Sequence, residues 1–207
     1  MFYFVKTPWL LKKIYPRSVW NIPTKEKILY LTFDDGPHPT ATPFILEELA
    51  RYNAKGTFFC IGKNVKEQPQ LYRKILEGDH RVGNHTHDHL NGWKTPDKEY
   101  FRNILEASKY IDSDLFRPPY GKISSFQIAY LQSGALNFKV IMWDVLSADF
   151  DKKISGEKCT SNVTGNAANG SIVIFHDSEK AFSNLKMALP KVLSHFSRQG
   201  YKFNSIK

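Results

Sequence analysis

Runs of apolar, β-branched and aromatic residues recur along the chain at 27–33, 56–61, 81–84, 115–117, 138–143, 171–175 and, weakly, 201–203. Bounded by polar and turn-forming residues, such runs read as strands. Helical periodicity fills most of the gaps. Residues 43–53 place Ile45, Leu46, Leu49 and Ala50 on one face, and Thr95-Pro96 is an N-cap and first-turn signal for a helix with Phe101, Ile104, Leu105 and Ile111 inward. Residues 69–77 stop at Gly78 and residues 124–132 at Ser133-Gly134, as helices do. Residues 185–196 are apolar enough for a last helix that Pro190 starts or kinks. Strand and helix alternate about seven times, which predicts an α/β fold with a parallel sheet, closed as a barrel or open and doubly wound.

The polar motifs sit at matching places in this pattern. Asp34-Asp35, His85-Thr86-His87-Asp88-His89, Arg117-Pro118-Pro119-Tyr120-Gly121, Asp149 and His176-Asp177 all lie at or just beyond the carboxyl ends of predicted strands, where α/β folds gather their active sites. Two adjacent carboxylates resist joint ionisation, and a cation resolves the conflict. His85 and His89, at i and i+4, are expected to share one face of a helical turn and to supply imidazole ligands. Two imidazoles and one carboxylate make a hydrolytic metal site with open positions, and the second aspartate is then free to act as a base. His87 faces away from its neighbours and reads as a surface histidine, as do His38, His80 and His195 as surface or packing residues. Both aspartates serve one site only where the strand ends and the chain turns, which Gly36-Pro37 supplies.

At 207 residues, 42% hydrophobic, the chain buries one good core and reads as a single globular domain. Its formal charge of +9 suits anionic surroundings such as cell-wall polymer or lipid headgroups. Without a nucleic-acid motif or arginine-rich run, nucleic acid is not an expected partner. Cys60 closes an apolar run and reads as a buried free thiol, so Cys60 and Cys159 leave the redox compartment open. Residues 1–24 are rich in aromatic and aliphatic side chains, but Lys6, Pro8, Lys12 and Lys13 interrupt them before a signal-peptide core or membrane span forms. The segment is expected to be a strap packed on the domain. Peripheral membrane or cell-wall association through Phe2, Phe4, Trp9, Leu10 and Leu11 is the second reading. The chain as written reads as unexported and cytoplasmic, with the cell envelope as the setting if an export signal was removed.

Taken together, Thr32-Phe33-Asp34-Asp35-Gly36-Pro37, the histidine cluster and Arg117-Pro118-Pro119-Tyr120-Gly121 closely resemble the polysaccharide deacetylases, the NodB-homology domain of carbohydrate esterase family 4. The resemblance covers residues 25–207, the expected catalytic domain. It implies a distorted (β/α) barrel of about seven parallel strands that removes acetyl groups from sugars with one divalent metal, Zn²⁺ first, with Co²⁺, Ni²⁺ or Mn²⁺ fitting similar sites. It also implies roles for matched positions: Asp34 as base, Arg117 holding it, and Asp35, His85 and His89 as metal ligands. Tyr120 is implied to lend its backbone N–H to the oxyanion, His176 to act as acid with Asp149 beside it, and Trp143 and Ile174 to wall the acetate pocket. Two departures stand out. Leu146-Ser147-Ala148-Asp149-Phe150 lacks the first aspartate and the tryptophan of the family's Asp-x-x-Asp-Trp, and Ile174 stands where the family has leucine. Asp149 is the least specific assignment, since Asp144 and Asp151 compete with it.

The expected substrate is an N-acetylglucosamine-type unit in peptidoglycan, a chitin-like oligomer or a surface glycan. An O-acetyl esterase acting on xylan-type polymers is the alternative, followed by a silent sugar-binding module. A metallo-β-lactamase-like His-x-His-x-Asp-His fails by one residue, because Asp88 follows His87 directly. An Asp-x-Asp phosphatase fails because the aspartates are adjacent.

Overall fold

The computed structural model describes residues 3–134 and 136–207; Met1 and Phe2 of the N-terminal segment lie outside them. Eight parallel strands carry the fold: β1 (Ile28–Asp34), β2 (Thr57–Cys60), β3 (Arg81–Asn84), β4 (Leu115–Phe116), β5 (Lys139–Val140), β6 (Val145–Leu146), β7 (Ile172–His176) and β8 (Lys202–Phe203). Their order is β5-β4-β3-β2-β1-β7-β6, with β8 paired to the start of β1. The two edges, β5 and β6, are joined by residues 141–144 alone. So short a connection forces the sheet to curl until its edges approach, and the result is a half-barrel with a seam between β5 and β6.

The helices are α1 (Trp9–Ile14), α2 (Ala41–Arg51), α3 (Gly62–Glu67), α4 (Pro69–Glu77), α5 (Asp97–Ser108), α6 (Ser125–Leu131), α7 (Gly156–Thr164) and α8 (Glu179–Arg198). Strand alternation divides the interior. Leu29, Leu31 and Phe33 of β1 pack outward with Phe58, Val173 and Phe175 against Ile45 and Leu49 of α2 and Leu189 and Val192 of α8. Thr32 and Asp34 point the other way, into the barrel, where they meet Arg117. At roughly 25 cal/mol per Å² of apolar surface, this outer layer is the main store of stability.

Several expectations shift. The predicted run 138–143 holds only β5; residues 141–143 belong to the turn that makes the seam, and β6 beyond it lies outside every predicted run. Helices α3 and α7 carry too little apolar periodicity to be seen in sequence, α7 reading Gly-Glu-Lys-Cys-Thr-Ser-Asn-Val-Thr. Helix α8 runs through Pro190 for 20 residues because its long apolar face is buried across the sheet. Thr95-Pro96 precedes α5 by one position more than expected, Pro96 being the N-cap. Ser124, read only as the first residue of the helix, is its N-cap, with a reciprocal pair: its Oγ accepts from the Gln127 N–H and Gln127 Oε1 accepts from the Ser124 N–H. Cys60 and Cys159 are both buried free thiols.

The N-terminal segment stitches the seam. The Val19 N–H donates to the Val140 carbonyl and the Met142 N–H to Val19, while the Leu146 N–H donates to Val5 and the Thr7 N–H to Asp144. One segment thereby satisfies the free edges of both β5 and β6. Buried Asp144 anchors it, receiving Lys6 Nζ at 2.6 Å, Lys12 Nζ at 2.7 Å and Ser171 Oγ at 2.5 Å. Burial pushes the Asp144 carboxyl up, and these donors outweigh it and hold the group below its ordinary value. Helix α1 itself has no buried residue and leaves Trp9, Leu10 and Ile14 exposed. Asp144→Ala is expected to cost about 2 kcal/mol, the range for hydrogen bonds to a charged group, read as a lowered urea midpoint.

Candidate active site

The carboxyl ends of β1 and β7 set the centre of the site. Asp34 and His176 are register partners and project from the same face of the sheet. Arg117, directly after β4, is fully buried and reaches across the barrel. Its Nη1 donates to Asp34 Oδ1 and Thr32 Oγ1, each at 2.7 Å, while Nε donates to the Ile141 carbonyl and Nη2 to that of Met142. The guanidinium lies 4.0 Å from the Phe59 ring centroid. Four hydrogen bonds and an aromatic face give the charge the compensation that burial demands.

Beyond β1 the chain turns sharply. Asp35 takes φ 85°, and a cis bond joins Gly36 to Pro37. Gly36 is required, because a Cβ there would lie 1.8 Å from Asp177 Oδ2. Asp177 holds this turn in place, its Oδ1 accepting from the Gly36 N–H at 2.9 Å and its Oδ2 from Thr42 Oγ1 at 2.7 Å. The sequence showed the pair His176-Asp177 but not this second role, which only the β1–β7 juxtaposition reveals. Burial, with Asp35 nearby, pushes the Asp177 carboxyl well above its ordinary value.

The histidine segment departs from expectation. Residues 85–89 form a loop, not a helical turn, with Thr86 at φ 64° and His89 at φ 58°. The imidazoles of His85 and His89 still converge, with ring centroids 5.1 Å apart. Two asparagines that the sequence gave no reason to single out shape this loop. Asn84 Oδ1 accepts from the Thr86 N–H, and Asn103 Oδ1 accepts from the N–H groups of His87 and Asp88. His87 faces away as expected, but it is half-buried beside Tyr110 and not a surface residue.

Asp35, His85 and His89 each bring one donor atom within 4.8 Å of the others. Asp35 Oδ1 lies 3.2 Å from His89 Nε2 and 3.7 Å from His85 Nε2, yet it is buried with no hydrogen-bond partner. Burial lowers the pKa of His85 to about 4, so its ring is neutral at pH 7. Its Nδ1–H is taken up by the Arg117 carbonyl at 2.7 Å, which leaves the Nε2 lone pair facing the carboxylate. Burial also opposes ionisation of Asp35, but the imidazoles of His89, His176 and His85 outweigh it and hold the carboxyl below the ordinary range. A carboxylate and a neutral imidazole aimed at one point with no proton between them fit a divalent cation, and the donor set is of the kind zinc takes.

On the opposite flank, Asp149 grips His176 twice: Oδ1 is 2.8 Å from the ring Nδ1, and Oδ2 accepts the backbone N–H at 2.8 Å. Burial lowers the pKa of His176, but Asp149, with Asp35 and Asp34 behind it, raises it to about 9. The competition among aspartates resolves cleanly, with Asp144 taking the strap lysines and Asp151 the Tyr3 hydroxyl. Phe150 stands edge-on to His176 at 5.1 Å, so the phenyl ring that replaces the family's tryptophan still packs on this histidine. Trp143 and Ile174 pack together with Leu146 and Ala148. Tyr120, at φ 60°, sets its hydroxyl 3.1 Å from His89 Nδ1.

A buried arginine–carboxylate pair and a histidine–carboxylate pair thus flank a candidate Asp-His-His metal-donor set at the mouth of a parallel half-barrel, an arrangement of the kind hydrolases use. The chain belongs to the polysaccharide deacetylase family, whose sequence model matches residues 21–137. It is 34% identical over 205 residues to a peptidoglycan-N-acetylglucosamine deacetylase of Bacillus cereus, covering 95% of each chain. It is 30% identical over 194 residues to the peptidoglycan-N-acetylmuramic acid deacetylase PdaA of Bacillus subtilis, covering 88% of this chain and 71% of that one. Among solved structures, a peptidoglycan N-acetylglucosamine deacetylase in complex with an N-hydroxybenzamide superposes with a TM-score of 0.87 at 30% identity, covering 97% of this chain and 95% of that one.

Removing Arg117 leaves a buried carboxylate without its counter-ion. Arg117→Met is therefore expected to destabilise the fold by about 3–5 kcal/mol, measured by denaturant unfolding.

Proposed function

We propose that the protein removes the acetyl group from N-acetylglucosamine-type units of peptidoglycan, with Asp34 as base and His176 as acid. The observation that carries this reading is the pair of intact couples, Arg117 with Asp34 and Asp149 with His176, at register-matched strand ends. The relatives named for peptidoglycan-N-acetylglucosamine deacetylation support the choice of glycan. The positive charge suits an acidic polymer.

In this reading Asp34 takes a proton from the attacking water as its oxygen bonds to the acetyl carbon. His176 then delivers the Nε2 proton to the departing nitrogen as the C–N bond breaks, which yields acetate and a free amine. An amine is a poor leaving group unless protonated, so the preserved His176–Asp149 couple favours the amide over an ester. Arg117 keeps Asp34 oriented and Asp149 keeps His176 oriented. Trp143 and Ile174 face the acetyl methyl, and the backbone N–H of Tyr120 serves the developing oxyanion. Asp35, His85 and His89 would hold the metal, Zn²⁺ first, which when bound would supply Lewis-acid polarisation and lower the pKa of water.

Acetate release from N-acetylglucosamine oligomers, peptidoglycan and acetylated xylan, with metal removed and restored, tests the reading. Asp34→Asn is expected to lower kcat by about 10²-fold or more while metal content stays at wild type, whereas His85→Ala loses both. Normal turnover in Asp34→Asn sinks the base assignment.

The proton on His176 gives a second test. Its pKa of about 9 means the acid form persists through neutral pH and is lost as pH rises through about 9 in the metal-free protein. A resident cation adds positive charge and moves that limb downward. NMR titration of metal-free protein is expected to show His176 titrating above its ordinary value, and Asp149→Asn to bring it down by at least one unit.

A further inference from the structure

The loops that follow β3 and β4 are laced together on the rim beyond the donor set. The Tyr120 hydroxyl meets His89 Nδ1 at 3.1 Å, and Trp93 Nε1 donates to the Ile123 carbonyl at 2.9 Å. Gly92 sits so close to Lys122 that a Cβ would lie 2.5 Å from its carbonyl. Trp93 is therefore fixed in place although 58% exposed, and Tyr120, two residues before Lys122, is 55% exposed. Lys122 lays its ammonium 4.1 Å from the centroid of the Trp93 ring. Half-buried, it has no carboxylate within ion-pair distance among the described residues. The two loops that meet at His89 and Tyr120 thus also meet at Trp93 and Lys122, four residues and two residues further along, as a rigid indole carrying an uncompensated cation.

We propose that Trp93 and Lys122 form a second sugar subsite, which takes a carboxylate-bearing neighbour of the reacting sugar. The proposal rests on the glycan-deacetylase reading and deepens it. An exposed, hydrogen-bonded indole offers an apolar platform to a pyranose face with little conformational cost. The ammonium held over the ring is a ready counter-ion for an anionic substituent, and the cation–π contact fixes its place before any ligand arrives. In peptidoglycan the sugar next to N-acetylglucosamine is N-acetylmuramic acid. Its carboxylate is either the free lactyl group or, where a stem peptide is attached, the carboxylates of that peptide.

The test compares kcat/KM on neutral N-acetylglucosamine oligomers, peptide-free peptidoglycan strands and peptide-bearing strands, using metal-loaded wild type, Lys122→Gln, Lys122→Arg, Lys122→Glu and Trp93→Ala. The Gln variant is expected to lower the ratio of acidic to neutral substrate by about 3-fold through KM, and the Glu variant by about 10-fold, as an exposed charge contact allows. Lys122→Arg is expected to keep the ratio, and Trp93→Ala to raise KM for both strand types. Wild-type preference is expected to shrink with salt, and that of the Gln variant to stay flat. A loss on peptide-free strands assigns the lactyl carboxylate, and a loss confined to peptide-bearing strands assigns the stem. If wild type is active and the Gln and Glu variants leave the ratio where it was, the subsite is wrong. If wild type releases acetate from none of the three, the deacetylase reading fails and the subsite with it.

Discussion

The ion pair between Arg117 and Asp34 is the contact on which the rest of the centre is built. A guanidinium taken fully out of water is tolerable only when its donors find acceptors, and here they bind β1, the carboxylate and two carbonyls of the segment that turns from β5 to β6. The same residue accepts the His85 Nδ1–H on its carbonyl. One side chain and its own backbone thus fix the Asp34 carboxylate, one donor imidazole and the curvature of the barrel. Well-packed apolar residues would stabilise such an interior at least as well. What the pair contributes is position: it holds a carboxylate at one point with its second oxygen directed toward the imidazoles.

The surrounding loops are held in conformations that are costly in isolation. Asp35, Thr86, His89, Tyr120 and Ala148 all adopt positive φ, and Thr86 is β-branched. Each such residue costs on the order of 1–2 kcal/mol, and the compensation is visible in the hydrogen bonds of Asn84, Asn103 and Asp177. The outer core supplies the stability that makes this strain affordable.

Much of this was legible in the sequence for a definite reason. Parallel strands buried on both sides leave runs that need no partner to be recognised, and their polar terminations stand out against them. Asp34, Asp35, His85, His89, Arg117 and His176 announce themselves as charged or imidazole groups where an apolar strand stops. The seam was not legible, because the apolar run 138–143 merges β5 with the turn after it, β6 is only two residues long, and the stitching comes from over a hundred residues away. The roles of Asn84 and Asn103 were hidden for a similar reason, since an asparagine in sequence looks like any turn or helix residue. The histidine loop defeated helical spacing because Thr86 and His89 adopt left-handed backbone, which periodicity cannot anticipate.

The stitching of the seam also decides where mechanical load travels. A pull on the chain's N-terminal end is delivered through Val5 and Thr7 to the edge of β6, the strand that leads directly into Asp149. It reaches β5 only after the β6 contacts and the lysine clasp on Asp144 have yielded. Tension from that end would therefore perturb the Asp149–His176 pair first, while the Arg117–Asp34 pair and the donor set, rooted on β1, β3 and β4, stay mechanically sheltered.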